Sequence, residues 1–149
     1  MGTGGAVAYA VQQFNLSGSF LLTNADTWLG RGVYEISQVA APAIAIVRVS
    51  DSSRYGQLEI NDQGDITAFL EKKSSNAGPG WINTGLCHLD AHFFKNWNQK
   101  PFSLEQVSFP FLASTGALRS APLHTDFIDI GIPEDYCKFC AYTLNNKAN

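Results

Sequence analysis

Four charged side chains stand out against the apolar runs they follow or interrupt: Asp26, Asp129, Glu71 and Lys72. Asp26 ends the segment FLLTNAD, an apolar run that stops on a polar turn. In open α/β sheets ligands bind beyond the carboxyl ends of strands, so an aspartate there can hold a metal ion or a sugar hydroxyl. A turn or helix-cap aspartate shows the same pattern, and spacing alone does not separate the two. Asp129 lies inside FIDIGIP, between Ile128 and Ile130. A carboxylate buried there is costly unless paired or metal-bound; a solvent-facing place on an edge strand is the alternative. Glu71 and Lys72 end ITAFLEK, where an exposed, charged strand end is the plain reading. At the start, MGTGGAV is a glycine-rich turn feeding a helix, a usual cradle for phosphate on free N–H groups. Such turns normally follow a strand, and these residues have none before them.

Two further constellations point elsewhere and carry less. CKFC (Cys137 to Cys140) has redox or metal spacing, but it lies in a helical pattern without a second pair, which suits core cysteines. His88 and His92 are four apart, but a strand-to-helix boundary falls between them, so they share no helical face for zinc.

The elements that must position these groups alternate along the chain. TGGAVAYAVQQFN has apolar residues at helical spacing, with Thr3 as its cap. Phe20 to Leu22 reads as a buried parallel strand, LGRGVYEISQVA as a short helix, and AIAIVRV as a second buried strand. YGQLEINDQGDITAFLEK alternates on both sides of NDQGD, which predicts a hairpin. WINTGLCHL predicts a strand, followed by a short helix that Asp90 starts. SLEQVSFPFLAS predicts a helix capped by Ser103, with Pro110 starting or breaking its second part. ALRSAPL and DFIDI are short strands, and PEDYCKFCAYTLNN is a helix with Pro133 at its first position. Alternating strands and helices predict an α/β class with an inserted hairpin.

The whole chain sets outer bounds. Its 149 residues fit one domain, residues 1–149. With 45% apolar and 15% charged residues it has the makings of a globular core. A net charge of −3 leaves no basic footprint for nucleic acid. The apolar runs are too short to span a bilayer, and the first residues do not read as a signal peptide. Three cysteines are too few for a disulfide scaffold, which makes the cytoplasm the expected compartment.

GTGGA, FLLTNAD, YGQLEIND, ITAFLEK, INTG, FSLEQ and FIDIGIPEDY occur in one order. Together they resemble the sugar-1-phosphate nucleotidyltransferases, and most of all the mannose-1-phosphate and heptose-1-phosphate guanylyltransferase branch. The resemblance runs from Gly2 to about Tyr136. It implies a truncated Rossmann-like fold with a mixed sheet, flanking helices and the inserted hairpin. It implies in-line attack by a sugar 1-phosphate on the α-phosphate of a nucleoside triphosphate, with loss of pyrophosphate. By the same resemblance, Asp26 and Asp129 would hold one Mg²⁺, Glu71 sugar hydroxyls and Lys72 the sugar phosphate. Asn83 and Gly85 would line the sugar pocket, and Gly2, Thr3, Gly4 and Gly5 would face the nucleobase. The family's GGxGTRL…PK loop, which cradles the triphosphate, has no counterpart in these residues. The expectation is therefore a site without an intact catalytic set. It would bind a sugar phosphate or nucleotide sugar, either as part of an enzyme completed by another chain or as a non-catalytic binding module. The family's missing strands would leave an apolar edge beside FLLTNAD, so a homodimer or larger oligomer is expected there.

Overall fold

In a computed structural model, residues 1–70 and 78–146 are described. Among these residues eight strands and four α-helices follow one another: α1 (Gly2–Gln13), β1 (Ser19–Thr23), β2 (Thr27–Leu29), α2 (Val33–Ser37), β3 (Ala43–Val49), β4 (Gln57–Ile60), β5 (Ile66–Leu70), β6 (Gly80–Asp90), α3 (Phe109–Ser114), β7 (Arg119–Leu123), β8 (Phe127–Asp129) and α4 (Pro133–Asn146). Six strands make one mixed sheet in the order β5-β4-β6-β3-β7, with β1 also pairing β6. Among the described strands only β3 and β7 run parallel. β2 and β8 form a separate antiparallel ribbon.

β3 shows why the sheet holds. Ala43 to Val47 are all buried because both faces of the strand are covered. Alternation sends Ile44 and Ile46 into the core under α1 and α3, with Ala8, Val11, Phe109 and Leu112. It sends Ala43, Ala45 and Val47 to the opposite core, with Ile36 of α2, Leu86 and Leu123. Full burial of each isoleucine stabilises by roughly 1.5–3 kcal/mol, which anchors the strand beside the site.

The hairpin expected around NDQGD is present: β4 and β5 pair antiparallel, and Asn61 Oδ1 accepts from the Gln63 and Asp65 N–H groups. Asp90 and Ser103 cap as expected, accepting from the N–H groups of His92 and Gln106. Ser103 starts a single wide turn (Leu104–Ser108) that runs into α3, with Pro110 in the first turn of that helix.

Three expectations are corrected. Phe20 to Leu22 is not a buried parallel strand: β1 runs antiparallel to β6, Leu21 is 38% exposed, and only Phe20 and Leu22 pack on the core. Among the described residues its outer edge has no strand partner. LGRGVYEISQVA is not one helix, because Gly30 and Gly32 separate the end of β2 from α2, which starts only at Val33. Thr3 does not cap α1, which begins one residue earlier at Gly2. No helix among the described residues is long and apolar enough to cross a membrane.

Candidate functional site

Two distant parts of the chain meet at one corner. The turn after β1 carries Asp26, and β8 ends on Asp129. The β2–β8 ribbon brings them together: Thr27 pairs with Asp129, and the Asp26 carbonyl accepts from the Ile130 N–H at 2.8 Å. Gly131 N–H donates to Asp129 Oδ1 at 3.1 Å, fixing that carboxylate. A Cβ on Gly131 would stand 3.1 Å from Asp129 Oδ1 and 3.2 Å from Asp26 Oδ2. Both carboxylates therefore face a point that glycine alone leaves open. Asp129 is half-buried and Asp26 exposed.

This donor set fits Mg²⁺. The ion is commonly bound by one or two carboxylates, with water and substrate phosphate completing its octahedron. Among the described residues no group of three or more acidic, histidine or cysteine side chains stands together as a metal site.

β6 places Gly85 against the turn that carries Asp26, with Asn83 two residues earlier on the same strand. The β3–β6 ladder shifts register between Ile44 and Ile46, and Thr84 bridges the irregularity by donating its hydroxyl to the Ala45 carbonyl at 2.9 Å. Gly85 takes φ +79°, and a Cβ on it would lie 2.5 Å from Asn24 Nδ2. Asn24 N–H donates to the Gly85 carbonyl at 3.1 Å, and Gly85 N–H to Asn83 Oδ1 at 2.8 Å. Gly85 thus lets the turn carrying Asp26 seat against the central strand.

Asn83 also lines a groove of about 600 Å³, with Tyr55, Gly56, Phe69, Leu70 and Glu105. The groove has apolar walls and a few amide and carboxylate groups, a composition suited to a small polar ligand. Leu70 is followed by residues 71–77, so Glu71 and Lys72 lie outside the described residues.

The glycine-rich turn sits against Phe102–Glu105. The N–H groups of Gly4 and Gly5 donate to the Phe102 carbonyl at 3.0 and 3.3 Å, so these two amides are already used. Gly2 and Gly4 press directly on Phe102, where a side chain has no room. Thr3 donates its hydroxyl to Glu105 Oε2 at 2.7 Å and accepts from the Leu104 N–H at 3.0 Å. Ser103 Oγ donates to the same carboxylate oxygen at 2.9 Å. The turn meets the groove through Glu105.

Three side chains not singled out in the sequence complete the corner. Asp135, in the first turn of α4, is 5% exposed and pairs with Arg54 at 2.6 Å and Lys138 at 2.7 Å. Lys138 and Arg54 hold its carboxyl below the usual carboxylate range. These residues, Tyr55, Phe127 and Asp129 line a second cleft of about 310 Å³. Burial raises the Tyr55 phenol. The signal in the sequence was the acidic pair in PEDY, which reads equally as helix N-terminal charge.

The cysteine and histidine candidates stay apart from this chemistry. The core reading of CKFC is corrected: Cys137 is exposed and Cys140 half-buried, both free thiols, while His88 Nδ1 lies 2.7 Å from the Val39 carbonyl. Burial pushes the Cys87 thiol up to about 12.

The chain is similar to several nucleotidyltransferases. The family model for nucleotidyl transferases matches residues 1–145. The mannose-1-phosphate guanylyltransferase catalytic subunit beta of Dictyostelium discoideum is 26% identical over 152 residues, covering 98% of this chain and 42% of that protein. The D-glycero-alpha-D-manno-heptose 1-phosphate guanylyltransferase of Campylobacter jejuni is 29% identical over 141 residues, covering 93% of this chain and 62% of that protein. The crystal structure of HddC from Yersinia pseudotuberculosis complexed with GMP-PN superposes with a TM-score of 0.81 at 32% identity, covering 95% of this chain and 62% of that one. The chain thus spans less than two thirds of the length of each.

Proposed function

This chain belongs to the nucleotidyl transferase family, and on that premise we propose that it carries the sugar-phosphate side of a sugar-1-phosphate nucleotidyltransferase site, of the mannose or manno-heptose type. The observation that supports this best is the convergence of Asp26 and Asp129 on the space above Gly131, beside the groove lined by Asn83. In this reading a phosphate oxygen of the sugar 1-phosphate attacks the α-phosphate of a nucleoside triphosphate in line, and pyrophosphate leaves. The protein's part is positioning and charge neutralisation. Asp26 and Asp129 would hold Mg²⁺, which supplies positive charge to the phosphates when bound. Asn83 orients the sugar, and Gly85 holds the Asp26 turn in place. Glu71 and Lys72 take the sugar hydroxyls and the phosphate. Gly2, Thr3, Gly4 and Gly5 serve the nucleobase side.

A specific observation favours binding without turnover by these residues alone. The Gly4 and Gly5 amides are committed to Phe102, Arg31 donates to the His124 carbonyl, and Arg54 is paired with Asp135. Each of these groups already has a partner within the chain. The uncharged outer edge of β1 pairs with a second copy of the chain, which light scattering tests. The free thiols suit a reducing compartment such as the cytoplasm.

Titration calorimetry with mannose 1-phosphate and GDP-mannose, with Mg²⁺ and with EDTA, tests the binding reading. Mg²⁺-dependent binding that Asp129→Asn removes supports it. Affinity that ignores both Mg²⁺ and Asp129 refutes the metal assignment.

A further inference from the structure

Asp135 spends its burial on two cations rather than on solvent, and its surroundings say what that arrangement holds. One carboxylate oxygen meets Arg54 Nη1 at 2.6 Å and the other meets Lys138 Nζ at 2.7 Å. The Arg54 guanidinium carbon also stands 5.7 Å from the centre of the Tyr55 ring. Tyr55 in turn meets Phe127 edge-on at 5.7 Å between ring centres. Phe127 is two residues before Asp129 on β8. Tyr55 lines both the groove that contains Asn83 and the cleft that contains Asp129, so the two share this residue. The chain of contacts therefore runs from α4 through Asp135, Arg54, Tyr55 and Phe127 to the strand that ends on Asp129.

A carboxylate at a helix start needs no burial to favour the helix, because exposed acidic residues there already complement the helix dipole. The Asp135 carboxylate is covered while Arg54 and Lys138 stay partly in water, and ion pairs that cover a charge are best attested as devices that fix one arrangement among several. Arginine suits the role, since its planar head can pair with a carboxylate and lie over an aromatic face together.

We propose that Asp135 and Arg54 are positioning residues that set the distance between the sugar groove and the Asp26–Asp129 corner, and so couple sugar-phosphate binding to Mg²⁺ binding. The inference rests on the proposed function above and adds to it a device for holding the two halves of the site in register. Coupling of this kind is reciprocal: each ligand tightens the other by the same factor.

The experiment measures that factor. The dissociation constant of mannose 1-phosphate is taken in EDTA and at saturating Mg²⁺, for the wild type, Asp135→Asn, Asp135→Glu and Arg54→Lys. Thermal melts are recorded on the same samples. The ratio of the two constants is expected to fall at least about fivefold in Asp135→Asn and Arg54→Lys, and to be largely kept in Asp135→Glu. Arg54→Lys alters a partly exposed side chain, so it serves if Asp135→Asn does not fold. Weaker binding by the same factor in both conditions, with a lower melting temperature and an unchanged ratio, makes the pair merely structural and overturns the inference. Tighter binding of Asp135→Asn in both conditions would mean that Arg54 and Lys138 are an anion site that Asp135 masks, which also overturns it. A wild type that binds no sugar phosphate in either condition removes the proposed function and this inference together. A wild-type ratio well above one that Asp135→Asn retains removes this inference alone.

Discussion

Gly131→Ala separates the metal corner from the fold around it. The added carbon falls 3.1 Å from Asp129 Oδ1 and 3.2 Å from Asp26 Oδ2, closer than ordinary contact, so both oxygens must retreat by a few tenths of an ångström. Mg²⁺ requires its oxygens near 2.0–2.1 Å in an almost ideal octahedron, so small displacements of two ligands together are poorly tolerated. Changes that disturb the orientation of metal ligands typically weaken metal affinity roughly 10- to 100-fold. The backbone does not resist the substitution, because Gly131 is not among the positive-φ glycines. Where an alanine fits the backbone, the loss of unfolded-state freedom stabilises by roughly 0.4–1 kcal/mol, which offsets the crowding. Calorimetry of mannose 1-phosphate at fixed Mg²⁺, paired with a thermal melt, is expected to show binding at least about tenfold weaker at a nearly unchanged melting temperature. Unchanged affinity at unchanged melting temperature would refute the view that the two carboxylates work as one cradle.

Gly85→Ala is expected to destabilise by roughly 1–3 kcal/mol, since it places a side chain at φ +79° and against Asn24; urea unfolding measures this, and an unmoved midpoint would contradict the packing account. Lys138 and Arg54 depress the folded-state pKa of Asp135, so its contribution is full above the unfolded value of about 3.9 and is lost as pH falls through the lower folded value. Stability measured against pH should therefore decline in that acid range, and Asp135→Asn should flatten the decline. These residues alone are expected to release no pyrophosphate from GTP, UTP, CTP, ATP or dTTP with mannose, glucose or heptose 1-phosphates. Turnover that disappears in Asp26→Ala would overturn that expectation.

Much of the fold was legible because burial writes itself into residue type. AIAIV is apolar at every position because β3 has a core on each face, and the NDQGD turn announces its hairpin through Gly64 and Asn61. β1 was misread because an apolar triplet looks the same whether its strand is central or at an edge; only the pairing partner tells. LGRGV does not show its structure because Leu29 ends β2, a strand ordered by pairing with β8 far along the chain, and Gly30 and Gly32 hold the helix back to Val33. The acidic corner was half legible: each aspartate could be named, while their convergence depends on the β2–β8 ribbon and on Gly131. The Asp135–Arg54 pair was not legible, since local sequence says nothing of which arginine reaches a helix start. The commitment of the Gly4 and Gly5 amides to Phe102 is likewise a long-range fact.

The central claim is that one cation, held by Asp26 and Asp129, lies against the phosphate of a bound sugar. Phosphorus-31 relaxation of mannose 1-phosphate tests this most directly, with paramagnetic Mn²⁺ in place of Mg²⁺, since both ions favour oxygen ligands. The account expects a protein-dependent relaxation enhancement that Asp129→Asn abolishes and excess Mg²⁺ competes away. Bound sugar phosphate whose phosphorus shows no such enhancement, or shows the same enhancement in Asp129→Asn, would contradict it.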